Sequence, residues 1–284
     1  MTSASISAPP AARPAEGRPS DARRKALAAR TAAVARERRL QRALPWLVGG
    51  AILLLWEAAC AAFTIPVFIL PPPTAVAASI VKWWGPLLDN AAQTLFTTVV
   101  GFAIAVVVGM VLGVLIGSSR LLYHGLYPLI IAFESVPKVA IVPLLVIWFG
   151  IGSVPAILTA FLIAFFPIMV NVSAGIATVE PELRDVLRSL GARPLDIVLK
   201  VGIPRSLPYF FASLKVAITV SFVGSIVSET IGANSGVGHL IMLASSRFDV
   251  PLVFAGLMAT AVMGVTMYSL ATAVEGRMTG WTTR

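Results

Sequence analysis

EPELRDVLRSLGARPLDIVLKVGIPRSLP, residues 180–208, interrupts an otherwise lipid-soluble sequence with a cluster of charges, one central glycine and four prolines. Leu183, Val186, Leu187 and Leu190 recur at i, i+3, i+4 and i+7, which gives a short helix one apolar face, with Arg184, Asp185 and Arg188 off it. Pro181 suits the first turn of that helix and Gly191 its C-terminal cap. Beyond the glycine, Pro194 opens a second short helix with Leu195, Val198 and Leu199 on one side and Arg193 and Lys200 elsewhere, expected to end at Gly202 and Pro204. Helix, glycine corner and helix predict a compact polar knob outside the membrane.

Composition fixes what surrounds the knob. Of 284 residues, 57% are hydrophobic and 12% charged, and the mean hydropathy is +0.88, well above that of a soluble domain. An all-α integral membrane protein follows. A bilayer core of ~30 Å needs about 20 apolar residues per helix. Six stretches qualify, near 45–64, 92–117, 126–149, 154–176, 209–229 and 251–274. Between the first two, Pro71-Pro72-Pro73-Thr74 introduces a short helix with Val76, Ile80, Trp83 and Trp84, expected to lie flat at the outer interface, where Trp is favoured.

Residues 1–44 stand apart, with ten of the 22 basic residues against Glu16, Asp21 and Glu37. A largely disordered tail leading into a basic helix from Asp21 is expected. Its basic residues meet anionic lipid, not nucleic acid, at about 1 kcal/mol each near the surface. An even number of spans puts both termini on one side; the tail, Arg120, the knob's basic residues, Arg277 and Arg284 collect there, leaving Lys82 and Arg247 opposite. The bias predicts cytoplasmic termini and a cytoplasmic knob. The single cysteine, Cys60, rules out an intrachain disulfide, and the distant His124 and His239 read as loop or boundary residues.

The third span holds ionisable groups. Glu134 and Lys138 would each cost roughly 2.5–3.5 kcal/mol at a helix centre facing lipid, so they are expected to face protein or water, and their i, i+4 spacing permits a mutual pair. Pro137 and Pro143 break the hydrogen-bond ladder beside them. Two readings stay open: a structural kink with a snorkelling charge, and a gate or pore wall. Lys138, Asn171, Ser173, Lys215, Thr219, Ser221 and Ser225 are further polar candidates for a pathway, each of which could equally be a helix-packing contact. Glu229, before the Gly-rich stretch 231–238, is expected near the pathway's outer end, either capping backbone amides of the following turn or pairing with a basic partner residue.

Asp185-Val186-Leu187, three residues, Gly191, nine residues, Val201, one residue, Ile203-Pro204 resembles the E-A-A, G, I-x-L-P motif of permease subunits of ATP-binding-cassette (ABC) importers. Asp185 stands where that family usually has Glu, and Val186-Leu187 where it usually has two alanines. Val136-Pro137-Lys138 through Trp148-Phe149-Gly150-Ile151-Gly152 is similar to the P-K-x-A-x-x-P-L-x-x-x-W-F-G-x-G run of the nitrate, sulfonate, taurine and bicarbonate branch, as are Trp56-Glu57, Leu70-Pro71 and Gly236-Val237-Gly238. The likeness runs from about Trp46 to Gly280 and leaves the tail out.

The resemblance implies a type I importer permease in a bacterial inner membrane, two copies forming one pathway, with ATPase subunits below and a periplasmic or lipid-anchored binding protein above. Asp185, Leu187, Gly191, Arg193, Leu195 and Pro204 would then couple to the ATPase. ATP and Mg would belong to that partner, since this sequence has no G-x-x-x-x-G-K-[ST] phosphate loop, and the chain itself is expected to hold no cofactor. The solute is expected to be a small anion such as a sulfonate, nitrate or bicarbonate; a vitamin precursor or aromatic acid is the alternative. A secondary transporter would show repeated halves, and an intramembrane enzyme a nucleophile with its base or a metal cluster; neither pattern is present in the sequence.

Overall fold

The structure, a computed structural model, describes residues 21–278, so the expected disorder of residues 1–20 lies outside it. Residues 1–58 and 59–284 form two separate units. Helix α1 is continuous from Asp21 to Ala62 and passes the expected tail boundary at 44 with Pro45 inside it. Its segment Ala43–Ala62 is long and apolar enough to cross a membrane.

The second unit holds α2 (Pro73–Lys82), α3 (Trp84–Ser118), α4 (Arg120–Glu134), α5 (Lys138–Phe149), α6 (Ser153–Ala177), α7 (Pro181–Ser189), α8 (Pro194–Ile197), α9 (Ile203–Gly232), α10 (Val237–Ser246) and α11 (Val250–Met278). Its core is the packing of α3, α6 and α9. Gly101, Ala105, Gly109, Gly113 and Gly117 place a small residue at every fourth position of α3, so the two backbones meet closely. A methyl added at Gly109 would lie 2.8 Å from the Phe165 carbonyl oxygen, and one at Gly113 would lie 2.7 Å from that of Met169. The facing stripe of α6, Ala156, Ala160, Ala164, Ile168, Val172 and Ile176, is buried throughout.

The order of these contacts fixes the topology. Gly101 meets Ile157 and Ala160 while Gly117 meets Ser173 and Ile176, so α3 and α6 run parallel. The chain between them must therefore return across the bundle, and α4 with α5 is that return. These two helices are bent by 85° at a short break, so the expected continuous third span is a broken one, and six crossings result when the bent pair counts as one. The cause is local: Pro137 lacks an N–H and disfavours helical backbone at Val136, and Ser135 closes α4 with its N–H on the Ile131 carbonyl.

From α6 the chain turns back through α9, which is antiparallel to it, with Gly175 against Ser206 at one end and Gly224 against Thr159 at the other. Two expected boundaries need correction. The second span begins at Trp84, earlier than 92. The second short helix does not end at Gly202 and Pro204; α8 runs through a π turn, Val198–Gly202, directly into α9, making Pro194–Gly232 one long helical segment. Pro204 sits in the first turn of α9, and the widened turn before it accommodates the N–H that proline lacks.

Candidate coupling loop and transport pathway

Loop 180–208 leaves the end of α6 and is built around one backbone conformation. Gly191 has φ +86°. Its N–H donates to the Arg188 carbonyl at 2.9 Å, and the Ala192 N–H donates to the Leu187 carbonyl at 2.9 Å. That pair of bonds is a Schellman cap, which satisfies the last carbonyls of α7 and requires a left-handed residue at the corner, where glycine carries no steric penalty. Asp185 is exposed and pairs with Arg188 at 3.6 Å, a contact of little energetic weight. Asp196 and Lys200 pair likewise at 3.6 Å.

The corner displays apolar side chains instead of hiding them. Leu183 and Leu187 are half-buried, Ile197 is buried, and Val186, Leu190, Leu195 and Leu199 are exposed. Leu187, Ala192, Ile197, Lys200 and Val201 line a shallow groove between the two arms. Arg193, exposed, precedes the first residue of α8, and Pro204 is half-buried behind the loop at the start of α9. Beneath the knob a cleft of about 390 Å³ opens between α8 and the ends of α3 and α6, lined by Val114, Leu115, Ile176, Val179, Leu195 and Val198.

At the break between α4 and α5, Lys138 Nζ lies 2.6 Å from a Glu134 carboxylate oxygen and donates to the Glu134 carbonyl, which the break leaves open. The lysine side chain is 9% exposed. One cation therefore neutralises the carboxylate and satisfies a backbone acceptor at the kink. Lys215 also has a partner that the sequence reading missed, Glu275 on α11, at 2.5 Å. The two lie 60 positions apart in sequence, beyond the reach of a helical spacing rule. Asn171 is half-buried and donates to the Pro167 carbonyl at 2.8 Å, Thr219 donates to the Lys215 carbonyl at 2.9 Å, and Ser221 faces the Thr98 carbonyl at 3.4 Å. Ser173 is buried on α6.

Glu229 and Ser225 sit together at the end of the bundle remote from the knob. Glu229 is 2% exposed. Its carboxylate accepts from Thr94 Oγ1 at 2.7 Å and the Gly238 N–H at 3.1 Å, and from one of the Thr97 and Ser225 hydroxyls, which lie 3.3 Å and 3.5 Å from it and bond to each other at 2.6 Å. Thr94 in turn accepts from the Val237 N–H at 2.8 Å, and Asn90 Oδ1 accepts from the Gly236 N–H at 2.7 Å. The first amides of α10 are thus capped from α9 and α3 at once, which joins three helices. Gly236, at φ +107°, lies against the Glu229 carboxyl group, leaving no room there for a side chain. These contacts are those of the internal cap, one of the two alternatives the sequence offers for this residue. The sequence reading missed Asn90, Thr94 and Thr97, although their i, i+4, i+7 spacing marks a polar stripe on an apolar helix.

Residues 105–280 match the family of binding-protein-dependent transport system inner membrane components. An ABC transporter permease protein of Haemophilus influenzae is 30% identical over 79% of this chain and 91% of its own length. The riboflavin transport system permease protein RibX of Chloroflexus aurantiacus is 31% identical over 81% and 87%. An aliphatic sulfonates transport permease protein, SsuC of Bacillus subtilis, is 28% identical over 83% and 86%. Among solved structures, an inward-facing form of the MetNI methionine ABC transporter aligns with a TM-score of 0.60 at 21% identity, covering 68% of this chain and 96% of that one, a likeness of fold. With the glycine-cornered loop, the broken third span and the helical bundle in place, the chain belongs to the binding-protein-dependent transport system inner membrane components and is a permease of an ABC importer.

Proposed function

We propose that this chain forms half of a transmembrane pathway, that loop 180–208 seats on an ABC ATPase subunit, and that a binding protein delivers the solute at the opposite end. The observation that carries this reading is the corner at Gly191, where a rigid Schellman cap holds Val186, Leu190, Leu195 and Leu199 exposed at the end of the bundle. ATP and Mg act on the partner subunit. The basic residues of the tail, the loop and the C-terminal end support a cytoplasmic knob and cytoplasmic termini in an inner membrane.

A second permease copy completes the pathway. One chain supplies one knob, and a two-fold arrangement of knobs matches a pair of ATPases. Native mass measurement of the purified assembly is expected to give two permease chains with two ATPase chains; one permease chain per two ATPases contradicts this architecture.

For the solute, the ion pairs favour the alternative over the small anion. Lys138 is neutralised by Glu134 and Lys215 by Glu275, which removes the two cations that would have greeted an inorganic anion. An organic solute of the vitamin-precursor or aromatic kind fits better, in keeping with a relative named for riboflavin transport. The relative named for sulfonates supports the anion reading. The ligand that copurifies with the binding protein decides between them.

A further inference from the structure

Phe248, between α10 and α11, holds its backbone at φ +56°. Its N–H donates to the Ser245 carbonyl at 3.1 Å, and the Asp249 N–H donates to the Ala244 carbonyl at 3.0 Å. The same pair of bonds closes α7 at Gly191, so α10 ends in a second Schellman cap, with a phenylalanine where glycine is favoured. Thr64 and Phe248 are the non-glycine residues with positive φ among the described residues, and a bulky side chain there is a genuine outlier. Asp249 then opens α11, its Oδ1 accepting the Leu252 N–H at 3.2 Å. The corner is held from both sides.

The ring contributes little to the core, because Phe248 is 80% exposed. Ser245, Ser246 and Arg247 beside it are exposed as well. Three polar neighbours, one of them charged, suit a corner that stands in water and not in hydrocarbon. Strain of this kind, kept where folding does not require it, points to use by something outside the chain.

The position of the corner says what meets it. α10 starts at the Glu229 cluster, remote from the knob, and runs beside the first turns of α11, where a methyl added at Gly256 would meet Ile241. α11 then runs to Glu275, which pairs with Lys215 in the half of α9 nearer the knob. Corner 245–249 therefore stands at the end of the bundle opposite the coupling loop.

We propose that Phe248 is an anchor for the binding protein, its ring entering an apolar pocket of that protein while Arg247 meets an acidic rim. The proposal rests on the reading that a binding protein delivers the solute at this end. Phe and Arg are among the side chains enriched at protein interfaces, and a ring on a fixed corner has little backbone freedom left to lose on docking. Arg247 takes part in none of the ion pairs of the described residues, which leaves its charge for a partner.

The test uses the transporter assembled with its ATPase in lipid nanodiscs, and reads its affinity for the importer's own binding protein beside its melting temperature. Glycine suits φ +56° better than phenylalanine does, so Phe248→Gly should melt at or above the wild-type temperature. It should nevertheless hold the binding protein about ten-fold more weakly, through faster dissociation. Arg247→Glu should slow association about ten-fold at low salt, and high salt should remove most of that difference. Wild-type affinity in Phe248→Gly overturns the anchor and leaves delivery at this end standing, whereas a binding protein that engages not even the wild-type assembly removes both. A lowered melting temperature in Phe248→Gly assigns the ring to the fold and overturns the proposal. A photoreactive phenylalanine analogue at position 248 should crosslink to the binding protein; products with lipid alone, binding protein being present, overturn the anchor in favour of a membrane contact.

Discussion

Glu229 shows how much one side chain holds in this bundle. The Thr94 hydroxyl of α3, the Gly238 N–H of α10 and one proton of the Thr97–Ser225 hydroxyl pair converge on its carboxylate. Leucine at this position keeps most of the volume but offers no acceptor, leaving the buried Gly238 N–H unmatched and the Thr94 hydroxyl without its carboxylate. Glu229→Leu should therefore lower the melting temperature of the purified assembly by several degrees, a loss of about 1–3 kcal/mol. Uptake should fall in parallel with stability. Unchanged melting together with a selective loss of binding-protein-stimulated ATP hydrolysis would return the carboxylate to a docking role. Half of this cluster was legible in the sequence: a glutamate ahead of a Gly-rich turn reads as a cap for its amides. The other half was not, because Thr94 reaches Glu229 across 135 positions and nothing in α3 alone names its partner.

At the scale of the element, the coupling loop is a case in which local sequence determined local structure. Its apolar spacing, Pro181, Gly191 and Pro194 act within a turn or two, and the structure contains both short helices with the left-handed glycine between them. The substitution Gly191→Val tests the backbone term, since a Cβ there would meet nothing within 4 Å and the positive φ opposes it. Occupying the left-handed region costs a non-glycine residue about 1–2 kcal/mol, more when it is β-branched. The variant should insert normally while ATP-driven uptake falls about ten-fold, with Gly191→Asn falling less. Wild-type uptake by Gly191→Val with normal ATPase retention would separate the corner from coupling. The end of the second short helix was misread because Gly202 and Pro204 are ordinary helix breakers. A π turn is a tertiary compromise, and here α6 packs beside it, with Ile176 next to Gly202.

In the whole molecule, the parallel course of α3 and α6 explains why a proline-broken segment must still cross. The sequence showed six apolar stretches, but not that the third would bend by 85°, because Pro137 predicts a break without its angle. It also showed the charges of the spans without their full environment: the Glu134–Lys138 pair in the third span followed from i, i+4 spacing, and the Lys215–Glu275 pair between α9 and α11 needed the fold. The central claim is that the knob at Gly191 is where this permease receives the work of ATP hydrolysis. The direct measurement is a photo-crosslinker placed at Leu195, which is 67% exposed on the knob, compared with one at Val107, which is 63% exposed along α3. In the assembled transporter, Leu195 should crosslink to a subunit carrying a G-x-x-x-x-G-K-[ST] phosphate loop and Val107 should not. A Leu195 product containing only lipid or other permease chains, from an assembly that retains its ATPase, would contradict the account.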